Sequence, residues 1–149
     1  MNYPGTLRNM ALTAIGTILI LSACGGESDG LSDFERVHGV GPITETIELS
    51  ELDMEKAQRG EQIFNTQCVA CHQLDATITG PRLRNTFNNR TPEFILNYIL
   101  NPEGMKEKHP VAQELARDYR GNMVSVGTTE QEALELLEYM RAASEGEFR

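Results

Sequence analysis

The sequence has no tryptophan and only three cysteines, and its 149 residues include 13 Lys and Arg against 22 Asp and Glu. Each shortage excludes something. Three cysteines leave one thiol over, so no closed disulfide framework holds the fold together. A formal charge of -9 argues against a phosphate-backbone partner, and hence against nucleic acid. The length suits one domain and is too short for two substantial ones with a linker. No apolar run reaches the ~20 residues that a membrane span needs. No internal repeat is visible, and no segment shows the strict alternation of a half-buried strand.

What is present begins at the N-terminus. Arg8 stands in an acid-free opening, and Met10 to Leu21 form a mainly apolar run, the n-region and h-region of an export signal. The run ends in Leu21-Ser22-Ala23-Cys24, which resembles the lipobox of bacterial lipoproteins. That resemblance implies cleavage of residues 1–23, lipid on Cys24, and a place in the bacterial cell envelope outside the cytoplasm, facing the periplasm. Residues 24–51 contain Gly-Glu-Ser-Asp-Gly and show no sustained period. They are expected to be a flexible tether that gains order near Ile43 to Leu49.

From Leu52 the composition changes, and residues 52–149 carry an all-α domain of about four helices. Met54, Ala57, Gly60, Ile63 and Phe64 recur at helical spacing and predict a first helix running into Cys68. Thr91-Pro92 opens a second with a cap and a proline at the first helical position. His109-Pro110 begins a third. Thr128 or Thr129 caps the last, with Gln131 or Glu132 as capping-box partner. Residues 73–90 lack a helical stripe and contain Gly80-Pro81, an odd length of loop for so small a domain unless something large fills the space beside it.

Cys68-Val69-Ala70-Cys71-His72 is the strongest chemical signal, because Cys-x-x-Cys-His reads as covalent haem c attachment. Two thiols at that spacing can form thioethers with two vinyl groups while His72 offers a ring nitrogen to iron. A thioredoxin-like dithiol would need a preceding strand, whereas a predicted helix precedes this motif. A structural zinc site needs about four ligands, and His38 and His109 have no further Cys to join them. A haem also accounts for the helix-poor stretch after His72, since its macrocycle supplies apolar surface that the chain lacks.

With these residues in place, the sequence resembles the class I monohaem c-type cytochromes over roughly Leu52 to Ala143. The resemblance rests on the haem motif, on Gly60 and Phe64 before it, and on Tyr139 in the terminal helix. It implies a cytochrome c-like fold around one covalent haem, in which the first and last helices cross closely at Gly60. It also implies that the Pro81 carbonyl receives the His72 N–H. Asn101-Pro102-Glu103-Gly104-Met105 and Asp118-Tyr119 look like a bacterial subgroup of short carriers.

The sixth iron ligand should come from a later loop, and Met105, Met123, Met140 and His109 are the candidates. Met123 matches the family's distal Met loop, although Val124 stands where a proline usually follows. Met140 is placed better in the core. Phe87, Phe94, Ile95, Tyr98 and Val111 are candidate pocket walls, and Arg82, Arg84, Arg90 or Tyr98 candidate propionate partners. With both axial positions filled, the implied function is single-electron carriage between a donor and an acceptor redox protein rather than catalysis. The alternatives are an electron-entry subunit of a larger complex, or a haem enzyme or sensor whose Met ligand dissociates.

Overall fold

The computed structural model describes residues 30–148, and among these the regular structure is entirely helical. Seven α-helices occur in chain order: α1 (Asp33–His38), α2 (Met54–Ile63), α3 (Thr86–Asn89), α4 (Pro92–Leu100), α5 (Pro102–Lys108), α6 (Pro110–Asp118) and α7 (Glu130–Glu145). A π-helical turn, Phe64–Cys68, carries the end of α2 into the cysteine motif.

Local chemistry sets the helix starts. The Thr91 hydroxyl accepts the Phe94 N–H at 3.2 Å, with Pro92 at the first helical position of α4. Asn101 does the same for α5 through the Gly104 N–H. His109 caps α6 by accepting the Val111 N–H on Nδ1 at 3.2 Å. Thr129 and Glu132 close a reciprocal capping box on α7, and Gly146, at φ 95°, ends it. The four expected helices are α2, α4, α6 and α7. The additional α1, α3 and α5 are each too short to show a hydrophobic period in sequence.

The most extensive helix pair is α2 with α7. Gly60 is buried at their crossing, where a Cβ would run into the backbone carbonyl of Glu135 and approach Tyr139 Cβ to 2.9 Å. Phe64, Leu74, Leu136, Tyr139 and Ala143 form the core beneath this crossing. A second group, Ile95, Leu96, Ala133, Leu137 and Met140, joins α4 to α7.

The third group, Leu31, Val40, Phe94, Met105 and Ala112, corrects the expectation of a flexible tether for its described part, because Leu31 and Val40 are already buried in the core. Residues 31–47 form a strap across α4. Glu93 and Asn97 of α4 and Asn101, which caps its C-terminal end, stand at four-residue spacing, and all three engage strap groups. Asn97 is fully buried; its amide donates to the carbonyls of His38 (3.0 Å) and Ile43 (2.9 Å) and accepts the Ile43 N–H at 2.9 Å. Asn101 donates to the Val40 carbonyl at 3.1 Å. Glu93 accepts the Ile47 N–H at 2.6 Å and pairs with His38 Nδ1 at 2.9 Å. Backbone groups of the strap make most of these bonds, so its own side chains carry no helical or strand period.

Candidate haem site

The π-helical turn delivers Cys68, and the chain then makes one more turn: the N–H groups of Cys71 (3.0 Å) and His72 (2.9 Å) both donate to the Cys68 carbonyl. Two free thiols therefore sit three residues apart on one turn, Cys68 half-buried and Cys71 exposed. Burial, with a smaller contribution from Cys71, pushes the Cys68 thiol above its ordinary pKa.

His72 follows directly and is held from one side. Its Nδ1 lies 2.9 Å from the Pro81 carbonyl, which can only accept, so Nδ1 carries the proton and Nε2 is left as the lone-pair nitrogen. Nε2 has no hydrogen-bond partner among the described residues. Gly80 is buried against the ring. The Gly80 N–H donates to the Cys71 carbonyl at 2.8 Å, folding the loop back over the motif. These residues fit a covalently held haem: two unpaired thiols on one turn, an imidazole with an open ring nitrogen, and glycine where a side chain would intrude on that ring.

The four candidates for the opposite face lie in different surroundings. Met105 is fully buried, and its Sδ accepts the Val40 N–H at 3.0 Å. His109 is buried with both ring nitrogens engaged, Nδ1 by the Val111 N–H and Nε2 by the Arg36 carbonyl at 3.2 Å. Met140 packs in the α4–α7 core. Met123 alone of the four is half-buried in a loop. That loop is tied beside the motif at both ends: the Gly121 N–H meets the Thr79 carbonyl at 3.3 Å, and the Thr128 hydroxyl meets Gln67 Oε1 at 3.2 Å. Between these ties the Ser125 N–H donates to Glu103 at 3.0 Å, a bond that holds the Glu103 carboxyl below its ordinary range. Hydrogen bonds thus fix a loop in which Val124 gives no proline-locked φ.

Other expected wall residues divide between two cores: Phe94, Tyr98 and Val111 lie with the strap, and Ile95 and Phe87 with α7. Arg84 bonds Asp75 and two backbone carbonyls, and the Arg90 guanidinium lies 5.4 Å over the Phe94 ring. The Arg84 contacts and the strap had no periodic signal to betray them; Asn97, a lone amide amid the apolar run of α4, was the one available sign.

Residues 57–144 match the family model for cytochrome c. The chain belongs to the cytochrome c family, all-α proteins that hold haem c and its iron covalently and carry electrons. Among solved structures it is similar to cytochrome c from Rhodothermus marinus, with 37% identity and a TM-score of 0.72 over 77% of this chain and 99% of that one. An engineered form of that cytochrome is 38% identical, with a TM-score of 0.70 over 74% of this chain and 96% of that one. A structure of the same engineered form bound to a carbene intermediate is 40% identical, with a TM-score of 0.67 over the same shares. No curated protein matches the sequence.

Proposed function

We propose that the protein is an extracytoplasmic, lipid-anchored carrier of single electrons, with one haem c bound through Cys68 and Cys71, His72 as proximal ligand and Met123 as distal ligand. The observation that carries this reading is the His72 imidazole, oriented by Pro81 through Nδ1 with Nε2 open, beside two free thiols. Bound haem c supplies an iron that alternates between Fe(II) and Fe(III). The chain's part is to hold that iron's surroundings still. Pro81 fixes the ring plane and strengthens His72 as a donor. The pinned loop 121–128 brings a thioether, which favours Fe(II) and raises the potential above that of a bis-His site.

The exposed Val69, Ile78, Val124 and Val126 lie on the motif turn, the proximal loop and the Met123 loop. They offer apolar contact to a donor or acceptor redox protein, while the acidic surface steers encounter toward a basic patch on that partner. Cys24 lies outside the described residues; the lipobox resemblance supports its lipid attachment.

Optical spectra of the protein matured with haem c test the ligand set. The oxidised protein is expected to show the far-red charge-transfer band of Met-ligated ferric haem, and Met123→Ala to abolish it. A band that survives Met123→Ala overturns the distal assignment. For the anchor, metabolic labelling with a fatty acid is expected to label the wild-type protein and not Cys24→Ser.

A further inference from the structure

The loop that carries Pro81 leaves the motif at Gln73 and returns at Arg84. Two backbone bonds form its neck, from the Leu83 N–H to the Gln73 carbonyl (3.0 Å) and from the Arg84 N–H to the Leu74 carbonyl (2.9 Å). Across this neck the Arg84 guanidinium grips Asp75 with two parallel bonds, Nε to Oδ1 at 2.6 Å and Nη2 to Oδ2 at 2.9 Å. Its Nη1 donates to the carbonyls of Ala143 (2.6 Å) and Phe148 (2.8 Å), bolting the neck to the C-terminal end of α7. A cation is electrostatically favoured at that end of a helix.

Beyond the neck the loop is held by the Gly80 N–H on the Cys71 carbonyl (2.8 Å) and by the Thr79 carbonyl under the Gly121 N–H (3.3 Å). Leu74 is buried and Leu83 packs on the same core, but residues 75–79 are exposed, Ile78 among them. Asp75 is 64% exposed, so the ion pair contributes little to overall stability; its effect is on position. Pro81 stands between two anchors, the Gly80 N–H on the Cys71 carbonyl on one side and the Arg84 clamp three residues on at the other, so the neck supports the carbonyl that holds His72 from its C-terminal side.

We propose that Arg84 is a positioning residue for the proximal ligand, setting the His72–Pro81 hydrogen bond by clamping the neck of this loop to Asp75 and α7. The inference rests on the reading of His72 as proximal ligand. Lysine keeps the charge but is a point donor that cannot fork a carboxylate and reach both carbonyls. Arg84→Lys therefore separates geometry from charge.

The test is hydrogen exchange of the His72 Nδ1–H, followed by proton NMR in the reduced, haem-loaded full chain. Arg84→Lys is expected to speed that exchange about tenfold, the equilibrium worth of one net hydrogen bond, and to raise the reduction potential because a freer imidazole is a weaker donor to Fe(III). Asp75→Asn, which breaks the fork and leaves Arg84 in place, is expected to speed the exchange too. Asn97→Ala, which loosens the strap, is expected to change neither quantity. Exchange unchanged in both Arg84→Lys and Asp75→Asn, or speeded equally by Asn97→Ala, overturns the proposal. Wild-type His72 ring protons without the upfield ring-current shift of an axial ligand overturn the proximal assignment, and this inference with it.

Discussion

Gly80 lies flat against the His72 imidazole: a Cβ built on it would sit 2.5 Å from Cε1 and 2.9 Å from Nδ1. The Gly80 backbone is not in the left-handed region, so space rather than conformation demands glycine there. Gly80→Ala is expected to rotate the ring off the Pro81 carbonyl or push the loop outward. Mass spectrometry of the exported protein should show a smaller fraction carrying covalent haem, with the remainder showing a shifted Soret band. Wild-type haem content and spectrum in Gly80→Ala would mean that the ring has room to spare.

At the α2–α7 crossing the obstacle is backbone, which cannot swing aside. Gly60→Ala is expected to separate the two helices and cost about 3 kcal/mol, at the upper end of overpacking penalties. Denaturant unfolding measures this as a lower midpoint with an unchanged slope.

Asn97→Ala leaves the Ile43 N–H and the carbonyls of His38 and Ile43 without their side-chain partner in a buried place. The expected loss is about 3 kcal/mol, since each orphaned group costs ~1–3 kcal/mol less whatever water recovers. Limited proteolysis should then cut within residues 31–47 first, with the haem spectrum unaltered.

Acid should loosen the same strap. Burial works to raise the Glu93 carboxyl, but the hydrogen bonds from the Ile47 N–H, its own N–H and His38 outweigh it, and the folded value is lowered. The ionised form is thus the one that favours folding. Its contribution is fully present above the unfolded carboxylate value of ~4.3 and is lost as the pH falls through the lower folded value. Glu93→Gln is expected to be less stable at neutral pH and to lose less stability on acidification, as thermal melts across the acid range would show. Equal acid slopes in the two proteins would remove Glu93 from the account.

The sequence exposed those parts of the protein that depend on residue type at fixed spacing. Cys68, Cys71 and His72 declare their chemistry by adjacency, Thr91-Pro92 and Thr129 with Glu132 mark helix starts, and the family resemblance placed Gly60 beside Tyr139. The strap stayed hidden because its backbone is bound by side chains 46 to 61 residues away. Arg84 stayed hidden for a related reason: its four acceptors lie nine residues back on Asp75 and some sixty residues ahead in Ala143 and Phe148. Met105 and His109 were weighed as iron ligands from residue type alone, and their contacts with the Val40 N–H and the Arg36 carbonyl lie in the segment that reads as a tether.

Because the strap is latched from Leu31 onward, it also shortens the leash. A free tether from Cys24 to Glu51 would span up to roughly 90 Å when fully extended, whereas the chain between Cys24 and Leu31 spans at most about 25 Å at 3.3–3.6 Å per residue. With lipid on Cys24, as proposed, the domain would roll along its own membrane within about its own diameter of the surface. Donor and acceptor would then have to present their docking sites at that height, and the carrier's search would be two-dimensional rather than a crossing of the envelope.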